Sequence, residues 1–166
     1  AGTDILLDGA TNVVLGSNVS LTAGTGNITL YAVNGAFGLS AIAGNDITIN
    51  VLGGIGATQP PTSVTLTAGD IVNVNAAIIS AGQVNITSGG GALQDINLAA
   101  NVTGTSVVFN AGGAGINNVT ATQNNTSGST TYNGLVTING AITLTSRTNM
   151  TFNGAVTVTA IAAGGI

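Results

Sequence analysis

The chain predicts an all-β fold: a right-handed parallel β-helix, or β-solenoid, of roughly 20-residue rungs. Three observations carry that expectation. First, aliphatic residues alternate with Thr, Asn or Asp, as in Asn27-Ile28-Thr29-Leu30, Asp46-Ile47-Thr48-Ile49 and Ala141-Ile142-Thr143-Leu144. A period of two puts the aliphatic side chains on one face of a strand and the polar ones on the other. Second, the runs are short and are opened by Ala-Gly or Asn-Gly: Ala23-Gly24, Ala43-Gly44, Ala68-Gly69 and Asn139-Gly140. Third, the pattern returns at a loosely constant spacing, 19 residues from Ile28 to Ile47, 20 from Val64 to Val84 and 23 from Ile5 to Ile28.

Taken in order, strands are expected over Asp4–Leu7, Asn12–Leu15, Val19–Thr22, Asn27–Tyr31 and Asp46–Val51, separated by Gly, Asn and Ser. Proline cannot donate to a strand ladder, so Pro60-Pro61 marks a loop near 52–62. A second loop is expected near 122–132, where Asn, Ser, Thr and Gly dominate. Beyond it come Asn133-Gly134-Leu135-Val136-Thr137-Ile138, Asn139-Gly140-Ala141-Ile142-Thr143-Leu144 and Asn153-Gly154-Ala155-Val156-Thr157-Val158. Asn-Gly between strands is a hairpin signal, but its repetition with almost no long connections favours a corner between successive strands of a coil. Inward positions are expected at Ile28, Leu30, Ile47, Ile49, Ile142, Leu144, Val156 and Val158, and outward ones at Thr29, Thr48, Thr143 and Thr157. Helices are not expected, because Gly and β-branched residues pervade the chain and charged i,i+4 pairs are missing.

Composition narrows function. Only 4% of the 166 residues are charged: one Arg, five Asp, and no Lys or Glu, with a net charge of -4. Nucleic-acid binding needs cations to neutralise phosphates, and Arg147 stands alone. Mean hydropathy is positive, yet no apolar run reaches the ~18 residues of a transmembrane helix. A membrane β-barrel needs strands of ~9–11 residues and aromatic girdles; aromatics here are 3%. No signal-peptide pattern opens the chain. The pattern is already running at Ala1 and stops at Ile166 without a capping element, so residues 1–166 are expected to be one solenoid segment excerpted from a longer array.

The Ala-Gly-x-Asp/Asn-Ile-x-Leu runs, with Asn-Gly-Ala-Val-Thr-Val late in the chain, resemble the filamentous-haemagglutinin-type repeats of large bacterial surface adhesins. The resemblance covers nearly the whole chain. It lies in the manner of repetition rather than in a signature, and the amino-terminal secretion domain of two-partner-secretion proteins is not evident. What it implies is a right-handed β-helix forming the shaft of an adhesin or fibre, placed outside the cell or on the bacterial surface.

The side chains offer little for chemistry. Enzymatic β-helices that act on polysaccharides use clustered carboxylates. Asp4, Asp46 and Asp70 recur just before an Ile, which reads as capping of turn amides; Asp4 and Asp8 are the one pair that a corner could bring together. Without His, Cys or Lys, a Ser-His-Asp triad, a thiol nucleophile and a Schiff base are excluded. Gly53-Gly54-Ile55-Gly56-Ala57-Thr58 and Gly112-Gly113-Ala114-Gly115-Ile116-Asn117 approach calcium-binding β-roll repeats but lack the Asp ligand. Hence no catalytic, metal or cofactor residue is named. Asn-x-Ser/Thr sequons open to glycosylation stand at Asn18, Asn27, Asn85, Asn101, Asn118, Asn124, Asn125 and Asn149. Thr65/Thr67, Thr143/Thr145 and Thr157/Thr159 are read as solvent-facing β-branched residues rather than an ice-binding face. The expected function is a non-enzymatic structural shaft, with flanking repeats or further copies of itself as partners. The alternatives are a glycan- or host-surface-binding module that uses the two loops and, third, a polysaccharide-acting enzyme.

Overall fold

The computed structural model describes residues 3–7, 12–89 and 95–159. Among them are twenty strands and no helix, and all the strand pairings are parallel. They stack into a β-solenoid of about seven turns, each of about 21 residues. Turns vary from 19 residues, Ile28 to Ile47, to 25, Ile47 to Val72. The expected spacings are register spacings: Ile5 pairs with Ile28, Ile28 with Ile47, and Val64 with Val84.

Each turn passes through three faces. Face one holds eight strands in axial order: Ile5–Leu7, Ile28–Asn34, Ile47–Ile55, Val72–Val74, Ile96–Leu98, Ile116–Val119, Leu135–Asn139 and Val156–Thr159. Seven spacings of ~4.8 Å make this face ~34 Å long. Face two holds Val19–Ala23, Gly38–Ala43, Ser63–Ala68, Gln83–Ser88, Ser106–Ala111, Ser129–Asn133 and Met150–Phe152. Face three is built of the shorter strands Val13–Val14, Ile78–Ile79, Val102–Thr103, Gln123–Asn125 and Leu144–Ser146. Two long strands, Ile28–Asn34 and Ile47–Ile55, run round the corner and serve faces one and three together.

Parallel register stacks like on like. On face one, Ile28, Ile47, Val72 and Ile96 form one inward column, and Leu30, Ile49, Val74 and Leu98 a second, all of them fully buried. On face two the column Leu66, Ile86, Phe109, Tyr132 and Phe152 ends in stacked aromatic rings, with centroids 5.0 and 5.1 Å apart. A strand flips side chains at every residue, so a buried column forces the next residue outward; Thr29 and Thr48 are only partly buried and Thr143 and Thr157 are exposed.

The Ala-Gly openings are the corner after face two. Ala23, Ala43 and Ala68 stack inward and are buried. The glycine that follows packs on the glycine of the turn below: a Cβ on Gly44 would lie 1.8 Å from the Gly24 carbonyl oxygen. Close approach, rather than dihedral freedom, demands glycine there. The Asn-Gly pairs are also corners. Gly134, at φ 94°, carries the chain from Ser129–Asn133 on face two to Leu135–Asn139 on face one.

Three expectations are corrected. Residues 122–132 are not a loop but strands Gln123–Asn125 and Ser129–Asn133, in which Gln123, Asn125, Thr130 and Tyr132 are buried. They keep the period of two with polar residues at inward positions, made tolerable by hydrogen bonds. The loop near 52–62 is narrower: Ile47–Ile55 continues as strand, bulging at 50–53, and only 56–62 leaves the ladder. Val156 and Val158, expected inward, are 42% and 62% exposed. They do sit in the inward columns, paired with Val136 and Ile138, but among the described residues no strand covers their other side. Ile142 and Leu144 are half-buried. Strand Gly38–Ala43 was not anticipated.

Candidate functional site

Asparagine and aspartate rows run along the coil. Asp4 Oδ1 accepts from the Asn27 backbone N–H at 2.7 Å, Asn27 Oδ1 from the Asp46 N–H at 3.1 Å, and Asp46 Oδ1 from the Ile71 N–H at 3.0 Å. Asp95 Oδ1 accepts from the Ile116 N–H at 2.9 Å. Each side chain thus caps the amide of the next turn, not of its own. The row departs from expectation at one place: Ile71 and not Asp70 precedes Val72 in register, and Asp95 belongs to the row. A second row links amides, Asn97 Nδ2 donating to Asn73 Oδ1 and Asn118 Nδ2 to Asn97 Oδ1, both at 2.9 Å, and Asn118 Nδ2 also reaches Asp95 Oδ2 at 3.3 Å. On face two, Asn153 donates to Asn133 at 2.8 Å, and Asn133 to Asn110.

These rows occupy the carboxylates of Asp4, Asp46 and Asp95 structurally. Asp4 and Asp46 flank a shallow groove of about 390 Å³ with Asn27 and Asn45, but each Asp has one oxygen committed to a backbone amide. Among the described residues there is no group of three His, Cys, Asp or Glu side chains suited to hold a metal. Asp8 lies outside the described residues. Gly53, Gly54 and Ile55 lie in a strand, and the Gly112–Gly115 turn closes through a 2.8 Å backbone bond. Arg147 is exposed at a bend. A second groove, of about 360 Å³ on face two, is lined with hydroxyls and amide: Asn18, Ser20, Ser40, Thr62, Ser63 and Thr65. The three Thr-x-Thr pairs fall on three different sheets and form no common plane.

The fold sorts the sequons. Asn18, Asn124 and Asn149 are exposed. Asn27 and Asn118 are tied into the rows, and Asn101 exchanges bonds with the Asn124 backbone. Asn85 is half-buried in the outward row of its strand. Asn125 is 2% exposed, and its Nδ2 donates to the Ser129 carbonyl at 2.8 Å. That amide is closed to any enzyme acting on the folded chain.

Tyr132 is a buried titratable group. Burial removes solvent from its phenolate and holds its pKa well above the usual 10.0. It sits inside the coil between two aromatic rings, where no reactant has access. Sequence reasoning missed Gln123 and Asn125 because it looked for aliphatic residues at inward positions; the Gln-x-Asn alternation was the available signal.

Comparison with known proteins returns no matching family model, no matching curated protein and no matching solved structure.

Proposed function

We propose that the chain is a structural shaft: a segment of an extracellular or bacterial cell-surface fibre, similar to filamentous-haemagglutinin-type adhesins, that transmits length and stiffness rather than chemistry. The observation that carries this reading is the continuity of face one, eight strands in one parallel ladder with side-chain columns repeated along it. Load along the axis passes through each rung interface in turn and is shared there by the ladder bonds, to which the Asn–Asn rows add directional bonds. An outer surface of Thr, Asn and Ser opposes lateral packing with little repulsion, which suits bundling with further copies or flanking repeats. The Asp4, Asp46 and Asp95 carboxylates act as caps, and no reaction is assigned.

Pulling on single molecules tests the proposal. A shaft resists force and unravels in steps of whole turns, each turn of about 21 residues giving roughly 70 Å of extended chain. Release of the whole chain at negligible force sinks it. The hydroxyl-lined groove favours a second reading, a glycan-binding module. A glycan array decides between them: saturable binding that is lost in Ser40→Trp, which fills the groove, replaces the shaft with a binding module.

A further inference from the structure

The core changes character within one turn. Asn117, Gln123, Asn125 and Thr130 are four of the seven buried polar side chains among the described residues, and all lie between 117 and 130. Asn117, Gln123 and Thr130 have apolar register neighbours, whereas Asn125 pairs with Ser146. Asn117 stands between Ile96 and Val136, and Thr130 between Val107 and Met150. Gln123 pairs with Leu144. Tyr132 completes the set between Phe109 and Phe152.

Face three breaks at the same level. Val102–Thr103 pairs back with Ile78–Ile79, and Gln123–Asn125 pairs forward with Leu144–Ser146, but no backbone pairing joins the two groups among the described residues. Side chains stand in for the missing ladder. Gln123 Oε1 accepts from the Val102 N–H at 3.1 Å, and Asn125 Oδ1 from the Gly104 N–H at 3.3 Å. Gln123 Nε2 donates to the Ala100 carbonyl at 2.9 Å. Such bridges depend on side-chain rotamers that a backbone ladder does not have to hold, and ordering them costs entropy.

Two polar atoms at this level are buried without a partner, Asn117 Oδ1 and the Tyr132 hydroxyl. An orphaned buried group costs more than a good hydrogen bond contributes. Faces one and two keep their backbone ladders across the level, Ile96–Leu98 with Asn117–Val119 and Ser106–Asn110 with Ser129–Asn133, so the interruption is confined to face three. The outer amide rows also cross it, Asn118 to Asn97 and Asn133 to Asn110. Those bonds are only part-buried and compete with water, so they preserve register more than they add stability.

We propose that this turn is a breakpoint built into the stack: it divides the coil into two cooperative blocks, and the block that begins at Gln123 opens as a unit while the strands up to Ala111 stay paired. The inference rests on the fold alone and stands whether or not the chain serves as a shaft. In a fibre, it makes one defined turn the place that yields.

Native-state hydrogen exchange on the intact chain tests it, and the Val102 and Gly104 amides are the reporters. They lie in the first block but depend on acceptors from the second. On opening of the second block they exchange together with Gln123–Phe152, faster by roughly tenfold or more than the amides of Leu66 and Ile86, whose strands pair only within the first block. A single rate across all of these amides overturns the proposal. So does a smooth gradient inward from Val156 that leaves Val102 and Gly104 as protected as Ile86, since that is end fraying. Tyr132→Phe keeps the ring stack and removes one orphaned hydroxyl. It slows exchange of the second block by roughly tenfold and leaves Leu66 and Ile86 unchanged; an unchanged or faster second block counts against the breakpoint.

Discussion

Truncating one rung in the middle of face two probes the packing most directly. Ile86 is fully buried, in a column between Leu66 and Phe109 that are buried to the same degree. Ile86→Ala removes roughly three carbon atoms, each worth ~0.8 kcal/mol of transfer free energy. The void then persists, because the neighbours above and below are held at the ~4.8 Å ladder spacing and cannot close on it. With the cavity term added, the expected loss is ~3–4 kcal/mol. Thr87, the next residue, points outward and only receives the Asn110 amide at 3.3 Å. Thr87→Ala is expected to cost ~0.5–1 kcal/mol. Urea denaturation followed by circular dichroism measures both, and the Ile86 effect falls on the transition of the more stable block. If Thr87→Ala costs as much as Ile86→Ala, the strand faces the other way, because a one-residue slip exchanges every inward and outward side chain.

Other substitutions test other links. Gly44→Ala drives a Cβ to 1.8 Å from the Gly24 carbonyl oxygen, so the corner must shift and thermal unfolding should show a loss of ~3 kcal/mol or more. Gly140→Ala meets nothing within 4 Å and bears only its φ of 101°, for an expected ~1–2 kcal/mol. Leu144→Asp places a carboxylate in a half-buried inward position and should unfold its rungs in a chemical-denaturation assay, whereas Thr143→Asp faces solvent and should be tolerated; the reverse order would place the register one residue out. Tyr132 supplies a pH test. Its folded pKa is raised, so its contribution is fully present below the unfolded value of 10.0. Above that value only the unfolded chain ionises, and stability should fall by up to ~1.4 kcal/mol per pH unit until the folded group also titrates. In Tyr132→Phe this component of alkaline destabilisation should vanish from denaturation midpoints measured from about pH 9 to about pH 12.

Fold class was legible because a period-two alternation and a recurring spacing are properties of the chain itself. Ile28 and Ile47 could be assigned to one column from their 19-residue separation, and they pair in register. The Ala-Gly dipeptide was visible as punctuation, but its reason was not. Only the stacked corner shows that Gly44 packs against Gly24. The candidate rows were half legible: Asp4 and Asp46 were correctly grouped as caps, while Asp70 was placed in the row and Asp95 left out. Turns of unequal length shift the register by one residue, and spacing alone cannot say where the extra residue is absorbed.

What the sequence determined by itself is therefore whatever depends on local alternation: all-β, short strands, no helix, aliphatic residues inward. What only the tertiary structure decided is whatever depends on which turn lies above which. Residues 122–132 show the difference. Read alone, Gln123, Asn125 and Thr130 are the composition of a surface loop. In the coil the backbone amides of Val102 and Gly104 stand beside them, and a buried amide needs an acceptor. Hydrogen bonds from a turn about 21 residues earlier make polar residues stable inside the core, and no local pattern carries that information.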